Sequence, residues 1–181
     1  MKTKVLVAYA TKYGSTKEIA EKIGEVLNQS GLNADIRDVK QVKDLSECDA
    51  VVLGSAAYIG SWRHSAAKFL KAHEAVLKER PVWLFSSGPT GEGDPVKLAQ
   101  NWRFPKKLQP VADRIGPRDI TLFHGNADPD KLTRMHKWMM NKVEAPLGDF
   151  RDWQMIESWA QGIAEDLNPG TLKTGNGTCM N

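Results

Sequence analysis

Cysteine is scarce: Cys48 and Cys179 are the only two in 181 residues. They stand far apart and outside any CxxC or zinc-type spacing, which excludes a disulfide framework and a thiolate metal centre. Both read as free thiols of a reducing compartment. Long apolar runs are missing too; none approaches the ~20 residues of a membrane-spanning helix. The apolar run 5–10 is too short for a secretory leader and polar residues follow at once, so a cytoplasmic protein is expected. Charge of one sign is also lacking. The 25 Lys and Arg nearly balance 22 Asp and Glu, giving +3, and they are spread along the chain rather than gathered into the stripe that nucleic acid requires. His64, His73, His124 and His136 form no ligand spacing, so no metal is expected. Neither the GxGxxG loop of dinucleotide-binding folds nor the GxxxxGKS/T loop of nucleotide triphosphatases occurs.

What is present is an alternation of two periodicities. Residues 4–10 form an apolar run of strand length, and residues 15–30 then place Ile19, Ile23, Val26 and Leu27 on one helical face. Residues 34–39 alternate as a strand near a sheet edge. DAVVLGS (49–55) and PVWLFS (81–86) are compact apolar runs typical of buried parallel strands. A helix over 64–78 would align Ala66, Phe69, Leu70, His73 and Leu77, and another over 106–115 stops at Gly116-Pro117. DITLF (119–123) is the last strand, followed by helical stretches over 129–144 and 151–167. Strands and helices alternating at this spacing predict an α/β fold with a doubly wound parallel sheet of five strands. One domain is expected over 1–167, with a polar, Gly-rich tail at 168–181.

In such sheets ligands lie beyond the carboxyl ends of the strands. Three loops occupy that position. The first holds Thr11, Lys12, Tyr13, Gly14, Ser15 and Thr16. It is either a plain capped helix start or a cradle whose amides and hydroxyls hold a monophosphate. The second holds Ala56, Ala57, Tyr58, Ile59, Gly60 and Trp62; its two rings either cover the edge of the core or stack on a flat heteroaromatic ligand. The third, with Ser87, Gly88, Pro89, Thr90 and Gly91, is a tight turn whose amides can approach the polar edge of a ring. Glu92 and Asp94 follow it. Asp35 and Asp38, without the Rossmann glycines, read as solvated, and His73 reads as packing.

A hydroxyl-and-glycine loop after strand one, an aromatic loop after strand three and a Gly-rich loop after strand four together resemble a flavodoxin. VAYATKYGSTKEIAEKI is similar to family members that write the first loop as Ser/Thr-x-Thr-Gly-x-Thr, with a departure at Tyr13. The resemblance implies the flavodoxin-like strand order 2-1-3-4-5 and FMN as cofactor. Its phosphate would sit on 11–16 and its ring between the 56–62 and 87–94 loops, where the negative charge of Glu92 and Asp94 would disfavour an anionic reduced ring. The flavin N5 would carry the chemistry, so no catalytic side chain is called for; His64, just past the aromatic loop, is a candidate proton donor.

A narrower pattern, Gly54-Ser55-x-x-Tyr58-x-Gly60 followed by Ala66 and Phe69, resembles the quinone-dependent protoporphyrinogen dehydrogenases of flavodoxin type. So does RMHKWMMNKV (134–143), which lies in an inserted stretch of about 25 residues, 126–150, too long for an ordinary connection. Leu132, Met135, Met139 and Val143 would share one helical face amid Lys131, Arg134, Lys137 and Lys142. That helix either packs on the core, or clasps an apolar ligand or touches the inner face of a membrane. The resemblance implies an FMN-dependent oxidoreductase passing electrons or hydride from a small organic donor to a quinone such as menaquinone, with protoporphyrinogen as the specific donor. The competing reading is a non-enzymatic electron carrier docking on a redox protein. Net positive charge argues against it, since such carriers are typically acidic.

Overall fold

The structure, a computed structural model, describes residues 2–142 and 144–168. The expected tail beyond 168, with Cys179, lies outside the described residues, and so does Val143. In chain order the elements begin β1 (Lys4–Ala10), α1 (Ser15–Gln29), β2 (Asn33–Asp38), β3 (Ala50–Tyr58) and β4 (Ser61–Trp62). Next come α2 (His64–Ala72), α3 (Glu74–Leu77), β5 (Val82–Ser87), α4 (Pro95–Leu98) and, after a 3-10 turn, α5 (Gln109–Ile115). The remainder is β6 (Asp119–Phe123), β7 (Asn126–Ala127), α6 (Arg134–Lys142), β8 (Gly148–Asp149) and α7 (Trp153–Leu167).

Successive strand residues point to opposite sides of a sheet, so a strand buried on both faces must be apolar throughout. β1 follows this rule: Leu6, Ala8 and Ala10 enter one core while Val5, Val7 and Tyr9 enter the other. Val51 and Leu53 of β3 oppose Ala50 and Val52 in the same way, as Val82 and Leu84 of β5 oppose Trp83 and Phe85. The parallel order is β2-β1-β3-β5-β6, the order expected. Its numbers shift only because β4 folds back antiparallel on β3. β2, at the edge, has no fully buried position, which is why its sequence alternates.

One core is closed by α1 and α7, whose Ile19, Ile23 and Leu27 meet Ile156, Ala160 and Ile163. The other is closed by Ala66, Phe69 and Leu70 of α2, Leu77 of α3, and Val111 and Ile115 of α5. Full burial of each Val, Leu, Ile or Phe side chain among these is worth about 1.5–3 kcal/mol. Close packing also dictates one glycine. A Cβ on Gly54 would stand 1.9 Å from Phe85 Cζ, so the central strand is bare there to admit the neighbouring ring.

The helix expected over 64–78 is broken at His73, whose φ of −104° and ψ of 11° depart from helical values. Its ring lies 4.5 Å from that of Phe69, and burial lowers its pKa, as befits a packing residue. The expected 106–115 helix starts as a 3-10 turn at Lys106–Leu108, and Gly116 ends it in the left-handed conformation (φ 67°). The 129–144 helix shortens to α6 because Lys131 and Leu132 close a turn on the carbonyl of Asp128. α7 starts at Trp153, where Asp152 accepts the Met155 N–H at 3.0 Å.

Candidate functional site

The loop from β1 to α1 turns through Gly14, whose φ of 98° suits glycine and which occupies the N-cap position of α1. No side chain caps that helix end. The Gly14 N–H donates instead to Thr11 Oγ1 at 3.0 Å, folding the loop on itself. Ser15 and Thr16 are the first two helical residues rather than the cap. Ser15 Oγ accepts the Asn126 N–H (3.1 Å), and the buried Thr16 Oγ1 pairs with Ser87 Oγ (2.8 Å). Their hydroxyls therefore tether the loop to the end of β5 and the start of β7, and the uncapped amides are left as the anion-attracting groups.

Beside this helix end lies a cavity of about 460 Å³. Its walls bring together Thr11, Tyr13, Ser15 and Thr16 with 56–59 and 87–90, three loops distant in sequence. Gly125, Asn126 and Ala127 complete that side, and Leu132, His136, Trp138, Met139 and Met140 form the opposite wall. Thr90 Oγ1 is buried without a hydrogen-bond partner, the sole such side-chain atom among the described residues. Burial pushes the Tyr58 phenol up to about 12, with the neighbouring Tyr13 adding to the shift and Arg63 opposing it, so it keeps its proton.

Five of the expected residues do not line this cavity: Lys12, Gly14, Gly60, Trp62 and Gly91. Trp62 lies in the core because the two-residue turn at Ile59 and Gly60 (φ 49° and 67°) sends β4 back along β3, pairing Trp62 with Ala57. Its ring meets Phe104 edge to face at 4.8 Å. Its Nε1–H donates to Ser86 Oγ at 2.8 Å, and that hydroxyl donates to the Arg103 carbonyl at 2.7 Å. Of the two alternatives for this ring, covering the core is the one observed. Ile59 at the turn is 86 % exposed, and a β-branched residue with positive φ carries backbone strain of about 1–3 kcal/mol. Gly91, Glu92 and Asp94 face a separate hollow of about 640 Å³, shared with His124 and Arg103. His64 is exposed at the start of α2 and is not in the cavity wall.

The inserted segment adds a residue that the sequence reading passed over. Lys12 Nζ stands 3.0 Å from His136 Nε2. An ammonium can only donate, so Nε2 accepts and Nδ1 carries the proton, facing Tyr13 OH (2.8 Å) and Thr133 Oγ1 (2.7 Å). The His136 pKa is lowered, by burial first and then by Lys12 and Arg63. For Tyr13, burial is the largest influence and raises the pKa. Hydrogen bonds to Thr133 and Lys12 and the Lys12 charge together outweigh it, and the net direction is down. Tyr13, the departure from the family's hydroxyl pattern, thus fastens α6 to the first loop. The four-residue apolar face expected on this helix is divided: Leu132 and Met139 line the cavity, Met135 is 63 % exposed, and Val143 is not among the described residues. The loop after β6 was also missed, although its place beyond a strand's carboxyl end would have nominated it.

A doubly wound parallel sheet with a ligand-sized cavity beyond the carboxyl ends of β1 and β3, where the winding reverses, has the architecture of the flavodoxin-like α/β class. The chain belongs to the flavodoxin-domain family, whose model matches residues 6–153. An archaeal flavodoxin superposes with a TM-score of 0.61 at 16 % identity, over 92 % of this chain and 99 % of its own. Rubredoxin:oxygen oxidoreductase of Desulfovibrio gigas gives 0.61 at 17 % identity, over 93 % of this chain and 37 % of its own. Among curated proteins, protoporphyrinogen IX dehydrogenase (quinone) of Escherichia coli K12 is 21 % identical over 181 residues, 94 % of this chain and 99 % of that protein.

Proposed function

We propose that this chain binds FMN in the cavity and acts as an oxidoreductase, passing electrons or hydride from a small organic donor to a quinone. A porphyrinogen is the donor that the name of the Escherichia coli relative brings forward. One observation carries the reading: an uncapped helix N-terminus, an unpartnered buried hydroxyl on Thr90 and the Tyr58 ring line or border one cavity. The residues fit the phosphate and the ring of the cofactor. The first-turn amides of α1, with Thr11 and Ser15, would hold the phosphate. Tyr58 and the 87–90 loop would hold the ring, and Thr90 Oγ1 would gain the hydrogen bond it lacks. The volume is within the ~300–1,000 Å³ of small-ligand sites.

When bound, FMN supplies reversible one- or two-electron chemistry. The protein's own part is position and proton placement. Tyr58 stays protonated, and His136 holds a proton at Nδ1 against Tyr13. Leu132, Trp138, Met139 and Met140 give the far wall an apolar, deformable surface that excludes water and suits a quinone. That wall also favours a small-molecule acceptor over a protein partner, which would need the cavity mouth open. The exposed Met135 beside Lys131, Arg134 and Lys137 marks the face we assign to contact with an anionic membrane surface. No helix among the described residues is long and apolar enough to cross a membrane.

The test is the absorbance spectrum of the purified protein with cofactor identification by mass, then anaerobic turnover of a porphyrinogen with menaquinone. Bound FMN with turnover is the expected result. Bound FMN without turnover would favour the electron carrier. A colourless protein that ignores added FMN would overturn both.

A further inference from the structure

The proposed phosphate site has a carboxylate at its edge. Glu18 lies in the first turn of α1, its N–H bonded to Gly14 O at 3.1 Å. Its side chain folds back toward the helix start, with Oε1 3.8 Å from the point where a Cβ on Gly14 would stand. A carboxylate there stabilises a bare helix end. It also repels any dianion drawn to the same amides, over a distance of a few ångströms.

Glu18 is not left free. Arg151 Nη1 donates to Glu18 Oε2 at 2.6 Å. Arg151 is no ordinary surface partner: its side chain is 5 % exposed, and three further contacts fix it. Its Nη2 and Nε reach Asp149 Oδ2 and Oδ1 at 2.5 and 2.8 Å, and its guanidinium stacks 4.5 Å from the Trp153 ring centre. It stands where the chain returns from the inserted helix. That return is stitched to the phosphate side by Phe150 N–H on Gly125 O (3.2 Å) and Asn126 N–H on Ser15 Oγ (3.1 Å).

We propose that Arg151 is a positioning residue for the phosphate, acting through Glu18: it neutralises the carboxylate and draws it aside, so that the site prefers a phosphorylated flavin to an unphosphorylated one. The inference rests on the FMN reading above. Without that guanidinium the Glu18 carboxylate lies uncompensated beside the cradle. Like charges several ångströms apart at an intermediate dielectric are worth about a tenfold loss of affinity.

The experiment titrates flavin-free full-length protein with FMN and, separately, riboflavin, following flavin fluorescence. Wild type should bind FMN more tightly than riboflavin. Arg151→Met should weaken FMN about tenfold, less so at high salt, and leave riboflavin unchanged. Glu18→Gln added to Arg151→Met should restore FMN, and Arg151→Lys, which keeps the charge but loses the fork, should retain most of it. Equal losses for both flavins, or no rescue by Glu18→Gln, would make Arg151 a structural strut and overturn the proposal. If Arg151→Met does not fold, Glu18→Gln alone decides: FMN affinity at or above wild type is expected, and a drop overturns the proposal. Wild type that binds neither flavin would instead remove the FMN reading itself.

Discussion

The sheet with its helices and the inserted segment are built on opposite terms. Every position of β5 is buried, whereas no described residue of α6 is. The first region is held by packing on two faces. The second is held by a few polar ties: His136 to Lys12 and Tyr13, Arg151 to Glu18, and Phe150 to Gly125. The difference teaches where each kind of change is felt. Substitutions in the sheet act on stability, while substitutions in the insertion act on the cavity it covers and leave the fold standing.

The largest contrast should come from Gly54→Val, which drives side-chain atoms into the Phe85 ring. Loss of ~3 kcal/mol or more in urea unfolding, or failure to fold, is expected; near-wild-type stability would mean that the central strands are looser than described. Ile156→Ala, at a fully buried position of α7, should cost about 2–4 kcal/mol with an unchanged denaturant slope.

A smaller effect tests the polar ties. The His136 pKa is lowered, so the residue is neutral at pH 7 and the closed arrangement is fully favoured above the ordinary histidine range. As pH falls through that range to the lowered value, an imidazolium N–H comes to face the Lys12 ammonium, with Arg63 adding repulsion. Amide exchange over 128–142, corrected for intrinsic rates, should therefore rise between about pH 7 and pH 5. The rise should vanish in His136→Gln; an identical rise in that variant would count against the tie. Smallest of all, Met135→Ser on the exposed side of α6 should change stability by no more than ~0.5 kcal/mol in the same urea assay.

The same division governs how far the sequence could be read. β1, β3 and β5 announce themselves because burial on both faces leaves no choice but continuous apolar runs, and edge strand β2 because half-burial forces alternation. Those strand ends then nominate the loops, and Thr11, Tyr13, Ser15 and Thr16 do meet 56–59 and 87–90 at one cavity. What was hidden depends on direction and distance rather than composition. An aromatic pair such as Tyr58 and Trp62 looks symmetric on paper, yet a two-residue turn puts one ring in the cavity wall and the other in the core. His136 touches Lys12 and Tyr13 across more than 120 positions of sequence, and no periodicity carries such a contact. The one local sign was Tyr13 itself, an aromatic ring where similar loops place a hydroxyl of another shape.

The shared core of α1 and α7 also has an order in time. Ile19 and Ile23 lie near the start of the chain, while Ile156, Ala160 and Ile163, which cover them, are synthesised far later. A chain leaving the ribosome therefore carries the apolar face of α1 uncovered until α7 has emerged, a window in which chaperones would find it. The start of α1 waits too, though for less of the chain: the tethers of Thr16 and Ser15 form only once Ser87 and Asn126 have emerged.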